Sequence, residues 1–257
     1  MFCVLTAESG KRRRGMPTYR KPKIMHVEYG GSHYDIIRTK VKKGKINLSA
    51  AEKAIEGRPV IKQVDINLPI DSSIRLFDSR RYRQHLEIST SLEVLKLAGK
   101  FKRSISVALI DRDGGFCGCL APLMSLSNEV YIITNDIDRY SQYANECFAA
   151  FGAAPIVTDG YGAADKCSVV FSPAGVGLFD RDKVVFAPKK ECWHIDSGCI
   201  AAIDGCAAGV DKIDFAGALY ELCGISRMGS MTASFMTANG VREPLDSIAR
   251  RICLDIK

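Results

Sequence analysis

Four short segments rich in glycine, aspartate and serine follow directly after apolar runs in the second half of this 257-residue chain. They are Asp111–Gly118, Thr134–Arg139, Thr158–Gly162 and Ser172–Gly177. If the apolar runs are parallel strands, their carboxyl ends share one edge of a sheet, and open α/β sheets bind ligands in the crevice at that edge. The four segments therefore predict a site for a small-molecule ligand or a nucleotide.

Cysteine and histidine side chains form a weaker pattern. Cys192, His194, Cys199 and Cys206 follow the order C-x-H-x₄-C-x₆-C, which does not match the usual spacing of zinc ligands. We therefore predict no metal site.

Two further thiols, Cys117 and Cys119, lie where a helix is expected to begin, and a helix N-terminus can lower the pKa of a thiol. Buried, inert thiols are the favoured interpretation.

Lys166 and His194 are candidates for a proton donor, and no residue is assigned as catalytic.

The elements that would position the four segments alternate between strand and helix patterns. Apolar runs predict five strands, at Ile105–Ile110, Glu129–Thr134, Ile156–Thr158, Ser168–Ser172 and Lys183–Ala187. A stripe with helical spacing ends at Gly152 and consists of Tyr140, Tyr143, Ala144, Cys147, Phe148 and Phe151. Strands joined by crossover helices pair in parallel. The pattern predicts an α/β fold with a doubly wound, mostly parallel sheet over residues 104–257.

The first part of the chain differs in charge. Residues 1–104 contain 23 Lys and Arg against 10 Asp and Glu, whereas the remainder contains 13 against 19. We interpret residues 1–23 as a flexible basic arm that could contact nucleic acid, although a solubilising tail is the simpler interpretation. Residues 24–103 are predicted to form a smaller α/β region, with a capping-box helix start at Ser49 and a helix from Arg80 toward Gly99.

Composition narrows the class of protein. The chain is 47% hydrophobic and 25% charged, which excludes a disordered tail, a collagen and a coiled-coil rod. No apolar run is long enough to span a bilayer, so no membrane association is expected. Ten cysteines without a disulfide framework or a signal peptide predict a cytoplasmic protein.

The helical stripe at Phe215–Leu222 could close a sheet edge or contact a second subunit in a homo-oligomer.

Residues 105–187 resemble the Rossmann-type NAD(P)-binding superfamily. The resemblance lies in the run VALI, a glycine-rich turn, VYIITND, a helix ending in FGA, then IVTD and KCSVVFSPAGVG. It implies that Gly114, Gly115 and Gly118 approach a pyrophosphate. It further implies that Asn135 or Asp136 contacts the adenosine ribose, that Arg139 faces a 2′-phosphate, and that the loop with Ser172 and Gly175 passes beside the cofactor. The implied function is NAD(P) binding, with oxidoreductase activity if the protein is an enzyme.

The glycine fingerprint departs from the family pattern, and this leaves two alternatives open. Asp111, Arg112 and Asp113 stand between the strand and the first glycine, and the spacing is GG-x-x-G rather than G-x-G-x-x-G. One alternative is a non-catalytic binding or regulatory protein that kept the fold and lost the cofactor. The other follows from Asp111-x-Asp113, which is similar to the first motif of haloacid-dehalogenase-type phosphohydrolases. That similarity implies Mg²⁺, with Thr134 and Lys166 as phosphate ligands.

Overall fold

A computed structural model describes residues 1–8, 21–42, 45–100, 105–172, 185–186 and 192–254. These residues divide into two compact units. Unit 1 comprises residues 1–83 and 202–230, and unit 2 comprises residues 84–201 and 231–257. Each unit combines strands with helices, so the predicted α/β class is confirmed.

The strands and helices are named here in chain order. The strands are β1 (Cys3–Ala7), β2 (Lys23–Tyr29), β3 (Ser32–Thr39), β4 (Val41–Lys42), β5 (Lys45–Ile46), β6 (Val60–Lys62), β7 (Ser106–Ile110), β8 (Glu129–Ile133), β9 (Ile156–Thr158), β10 (Val169–Phe171), β11 (Val185–Phe186), β12 (Cys192–Trp193), β13 (Phe235–Ala238) and β14 (Val241–Pro244). The α-helices are α1 (Leu48–Ile55), α2 (Arg80–Ala98), α3 (Leu120–Leu126), α4 (Ile137–Phe151), α5 (Lys212–Glu221) and α6 (Leu245–Leu254). No helix in the described ranges combines the length and the apolar character that a membrane crossing requires.

Unit 1 is built on a four-stranded sheet with the order β2-β3-β1-β6. β1 is an interior strand, parallel to both β3 and β6, because its sequence CVLTA supplies apolar side chains to both faces. The structure thus differs from the predicted basic arm over residues 1–23, since Cys3–Ala7 forms a buried strand. Residues 9–20 of that segment lie outside the described ranges.

Both faces of this sheet are covered. On one face, Ala51 and Ile55 of α1 pack in a cluster with side chains of β1 and β3. On the other face, Phe2 stacks on Tyr34 with ring planes within 8°, and both rings contact Phe215 of α5. The predicted stripe on α5 therefore serves the core of unit 1.

The start of α1 also differs from the prediction. The helix begins at Leu48, two residues after the end of β5. The side chain of Asn47 accepts a hydrogen bond from the Ala50 amide, so Asn47 and not Ser49 is the N-cap.

Unit 2 contains a six-stranded sheet with the order β12-β11-β10-β7-β8-β9. The four strands β7 to β10 are parallel, as predicted. The fifth predicted strand has the wrong direction, because β11 pairs antiparallel to β10. A strand of only two residues carries too little apolar pattern to fix its direction.

Each connection between the parallel strands contains a helix. α3 links β7 to β8, α4 links β8 to β9, and a 3-10 helix at Tyr161–Lys166 links β9 to β10. Gly152 ends α4 in the left-handed region with φ 69°, as predicted. The predicted apolar stripe on α4 is only partly buried, because Tyr140 and Cys147 are buried whereas Phe148 is 61% exposed.

The unit boundaries differ from the predicted domain limits at residues 24, 103 and 104. Residues 202–230, which include α5, belong to unit 1, and α2 passes from unit 1 into unit 2 at Gln84. The hairpin of β13 and β14 turns through Asn239 and Gly240, both with positive φ, and α6 follows it in unit 2.

We expect Phe2→Ala to destabilise unit 1 by about 3–5 kcal/mol, because it removes a fully buried ring between Tyr34 and Phe215. Hydrogen exchange of the β1 and β3 amides measures this loss within unit 1. The matched control is Ile70→Ala, because Ile70 is fully exposed, and it should change the free energy of unfolding by less than about 0.5 kcal/mol. Equal exchange in the two variants would contradict the assignment of β1 to the core.

Candidate functional site

The carboxyl ends of β7, β8, β9 and β10 lie along one edge of the unit 2 sheet. Their registers pair Ile110 with Ile133, Ile133 with Thr158, and Leu109 with Phe171. The chain moves from β7 outward through β8 to β9, and then returns to β10 on the other side of β7. The strand order therefore reverses between β7 and β10, which is where open α/β sheets hold their ligands.

Asp111, directly after β7, is the central polar residue at this edge. It is only 1% exposed. Its Oδ1 accepts a hydrogen bond from the Gly115 amide at 3.1 Å, and its Oδ2 accepts from the Phe116 amide at 2.8 Å and from the Tyr140 hydroxyl at 2.5 Å. Both carboxylate oxygens thus have donors from the protein, as a buried charge requires.

The face on which Asp111 lies follows from strand alternation. Ala108 and Ile110 of β7 pack with Ala164 and Cys167 on one face of the sheet. Because successive side chains point to opposite faces, Asp111 points to the other face, where Tyr140 of α4 reaches it. Burial and the hydrogen bond to Asp111 raise the pKa of the Tyr140 hydroxyl strongly, so Tyr140 stays a proton donor to the carboxylate.

The glycine turn after Asp111 brings together three of the predicted residues, Gly114, Gly115 and Arg139. Gly114 has φ 69°, and a Cβ built on it would lie 2.8 Å from Cδ of Arg139, so the Arg139 side chain lies against this glycine. The Gly115 amide is already bonded to Asp111. Gly118 is exposed, and a Cβ there would meet no described atom within 4 Å.

The loop after β8 is connected to the first loop through backbone groups. The amide of Asn135 donates to the Arg112 carbonyl at 3.3 Å, and the buried Thr134 hydroxyl lies 3.4 Å from the same oxygen. Asn135 has an exposed side chain. Asp136 is the N-cap of α4, because its carboxylate accepts from the Arg139 amide at 3.2 Å. The capping role leaves Asp136 less able to contact a ribose.

Ser172 lies after β10 on the face opposite Asp111. Its neighbour in register is Ile110, because Phe171 pairs with Leu109. The Ser172 hydroxyl is fully buried and has no hydrogen-bond partner among the described residues. Gly175, the other predicted residue of this loop, lies outside the described ranges.

Charges at this edge are mainly negative. Asp113, Asp138 and Asp159 are exposed there, in addition to Asp111 and Asp136. The cations are the exposed Arg112 and Arg139. Arg112 is engaged with Tyr161, since its Nε donates to the phenol oxygen at 2.5 Å and its guanidinium lies 5.4 Å from the ring centre.

The Cys119 thiol near this edge is not activated. Burial and the nearby Asp111 raise the pKa of the Cys119 thiol to about 11. For Cys119 the structure therefore favours the interpretation of an inert thiol over a helix-dipole effect. Lys166 is exposed at the end of the 3-10 helix and has no described hydrogen bond.

The cysteine and histidine cluster of the sequence is divided between the units. Cys206 belongs to unit 1, whereas His194 and Cys199 belong to unit 2. The backbone of His194 pairs with Thr237, and the Cys199 thiol lies 3.6 Å from the Thr237 hydroxyl. Within the described ranges, no three His, Cys, Asp or Glu residues are grouped so that they could hold a metal ion.

Sequence reasoning missed a polar cluster in unit 1. Asp35, buried on β3, accepts hydrogen bonds from His26 Nδ1 and from Arg58, both at 2.6 Å, while His26 is 81% exposed. The glycine pair Gly30-Gly31 is the sequence signal that could have revealed this cluster. Two glycines favour a two-residue hairpin turn, and a turn at this place sets His26 directly opposite Asp35.

Asp111→Asn should destabilise unit 2 by about 2–4 kcal/mol, because the neutral amide replaces a charged acceptor of three hydrogen bonds. Tyr140→Phe should cost about 1–2 kcal/mol. The double variant should cost less than the sum, since the two side chains share one hydrogen bond. Urea unfolding followed by the fluorescence of Trp193, the one tryptophan, buried in unit 2, measures all three.

The control for this cycle is Asp113→Asn, which removes an exposed carboxylate two residues away and should change stability by less than about 0.5 kcal/mol. Strict additivity of Asp111→Asn and Tyr140→Phe would contradict the hydrogen bond between them.

The Asp35 cluster predicts a pH dependence in unit 1. Burial alone would raise the pKa of Asp35, but hydrogen bonds from Arg58 and His26 outweigh it and lower that pKa. The stabilisation is therefore present above the ordinary carboxyl pKa of about 3.9 and is lost as the pH falls through the lowered value. Urea unfolding should show a stability difference between wild type and Asp35→Asn that is largest near neutral pH and shrinks in acid.

The exposed Asp71 supplies the control for this pH series, and Asp71→Asn should match wild type at each pH. A stability difference between Asp35→Asn and wild type that stays constant down to strong acid would contradict the ionic cluster.

Comparisons with known proteins give no family for this chain. No protein-family model, no curated protein and no solved structure matches it. Function is therefore inferred from the residues and the geometry of the site.

Proposed function

We propose that this chain is a non-catalytic binding or regulatory protein with a Rossmann-like unit 2, in which the position for a cofactor phosphate is filled by the protein's own Asp111. The strand order β10-β7-β8-β9 supports the Rossmann-like assignment of unit 2. If β7 is counted as strand 1, this order becomes 4-1-2-3, which is the arrangement of the first four strands in a Rossmann sheet. This support is an analogy at the level of fold, and the loss of the cofactor is argued from the site.

The hydrogen bonds of Asp111 carry the proposal. A pyrophosphate at the end of the first strand binds to backbone amides at the start of the following helix. Here the amides of Gly115 and Phe116 donate to the Asp111 carboxylate. A phosphate that took these amides would leave a buried carboxylate with one donor, Tyr140, and an unsatisfied buried charge costs several kcal/mol.

The negative charge at this edge of the unit 2 sheet also supports the loss of the cofactor. Besides Asp111, the carboxylates of Asp113 and Asp159 follow strands at this edge. Each carboxylate within contact distance would repel an anion by about 1 kcal/mol even in water-like surroundings. Arg112 contributes less than a free cation, because it is held against Tyr161. A dinucleotide is therefore a poor ligand for this edge.

NAD(P) binding is the second candidate, and the Arg139 side chain favours it. Arg139 lies against Gly114, so its guanidinium would be available to a phosphate group above the turn. On this account Gly114, Gly115 and Gly118 contact the pyrophosphate and Asn135 contacts the ribose. NADP would be preferred over NAD, and an oxidoreductase would be the corresponding enzyme class.

A Mg²⁺-dependent phosphohydrolase fits the site less well. The nucleophilic carboxylate of such an enzyme must reach phosphorus, whereas both oxygens of Asp111 are buried and accept hydrogen bonds from Gly115, Phe116 and Tyr140. On this account Asp111→Asn would abolish Mg²⁺-dependent hydrolysis of an aryl phosphate by the full chain.

A thermal-shift titration with NADPH and NADH separates the first two candidates. A ligand at about 1 mM with a Kd of about 10 μM stabilises a protein by about 2.7 kcal/mol, which raises the melting temperature by about 5–10 °C for a unit of this size. The proposal predicts no shift with either nucleotide.

A saturable shift with NADPH that Arg139→Glu removes would overturn the proposal in favour of NADP binding. The matched control is Arg250→Glu, an exposed arginine on α6 at which the same charge change is made. A shift that both variants lose would indicate a general effect of charge and would not support NADP binding at Gly114.

A further inference from the structure

Two segments of unit 1 contain many cations and no acids. Residues 9–23 include seven Lys and Arg, and residues 38–45 include five, while neither segment contains Asp or Glu. In the sequence, the strands β2 and β3 and the turn between them separate the two segments. A single basic segment is usually a solvated surface, but two that meet in space create a field that attracts polyanions.

The register of the unit 1 sheet brings the described parts of the two segments, residues 21–23 and 38–42, to one end. β1 and β3 are parallel and end together, with Ala7 opposite Thr39, and the Glu8 amide donates to the Thr39 carbonyl at 2.8 Å. β2 runs antiparallel to β3, so it starts at this end, with Lys23 opposite Arg38. The chain therefore leaves β1 for residues 9–22 and leaves β3 for the β4–β5 hairpin at the same place.

The described cations at this end are exposed. We define the basic end as Lys21, Lys23, Arg38 and Lys40. Lys23 pairs with Glu8 and is 65% exposed. The other three named cations form no ion pair with a described residue.

The arrangement is unfavourable for the fold taken alone. Lys23 and Arg38 are directly opposite in the antiparallel pair, and like charges at such positions destabilise a sheet. Glu8 offsets part of this repulsion, and Asp65 is an exposed acid that follows β6, which also ends here. A polyanion bound at the basic end would remove the repulsion.

We propose that the basic end binds a nucleic acid through its phosphate backbone, without reading base sequence. Binding of this kind is driven by the release of counterions from the phosphates. An anionic membrane is the less suitable partner, because interfacial segments need a large apolar face, and the two segments contain only Met16, Tyr19 and Val41 as large apolar residues. This proposal is independent of the cofactor question in unit 2.

Fluorescence anisotropy of the full chain with a labelled single-stranded RNA, and separately with a DNA duplex, tests the proposal across a range of salt concentrations. We expect the logarithm of the binding constant to fall linearly with the logarithm of the salt concentration, by about 0.7–0.9 for each phosphate contacted. The variant Lys21→Glu, Lys40→Glu should weaken binding at least about tenfold and reduce this slope by about 1.4–1.8, because it removes two contacts.

The matched control is Arg80→Glu, Arg81→Glu, which makes the same change of charge at two exposed arginines at the start of α2. It should weaken binding by less than about threefold. The neutral variant Lys21→Gln, Lys40→Gln should give an intermediate loss and keeps the test valid if the glutamate variant does not fold. No binding to either nucleic acid at low salt would overturn the proposal, as would equal losses in the control. Cosedimentation with phosphatidylserine vesicles, without binding to nucleic acid, would also overturn it.

Discussion

The candidate site in unit 2 depends on one buried charge. The Asp111 carboxylate stands at the end of β7, where it is removed from water, and a carboxylate in such a place needs donors for both oxygens. The Gly115 and Phe116 amides and the Tyr140 hydroxyl supply them. The glycine turn supplies two of these donors and Tyr140 of α4 supplies the third. The turn is therefore an internal structure of the protein, closed before a ligand arrives.

Because the turn binds the Asp111 carboxylate, its glycines have a different role from the glycines of a dinucleotide-binding turn. In a dinucleotide-binding turn, glycines let a ligand approach the backbone. In this chain Gly114 adopts a positive φ, and its missing side chain leaves room for Arg139, a residue of the same unit. The sheet has a strand order suited to ligand binding, while in our proposal Asp111 takes the position that would recognise a phosphate. The cations that could attract a polyanion are found instead in unit 1, at the basic end of its sheet.

Sequence patterns predicted the parallel strands and α4 well, because long apolar runs and a capping residue are local signals. They failed where the determinants are not local. β1 was missed because its five residues directly precede a basic segment and no helix follows them to mark a repeat, and β11 was given the wrong direction because two residues carry no directional signal. The role of Asp111 was open for the same reason, since the burial of a side chain depends on Tyr140, 29 residues further on. The stripe on α5 left a sheet edge and a second subunit as alternatives, because nothing in it identifies the partners Phe2 and Tyr34 that contact Phe215.

The most direct test of the closed turn is the amide NMR spectrum of Gly115 and Phe116 in the full chain. The account predicts that both amide protons exchange slowly with solvent, and that neither resonance moves when inorganic pyrophosphate is added to millimolar concentration. In Asp111→Asn, the same two amides should exchange faster, because their acceptor has lost its charge. Saturable shifts of both resonances with pyrophosphate in the wild-type protein would contradict the account, since they would show that the turn opens to a phosphate.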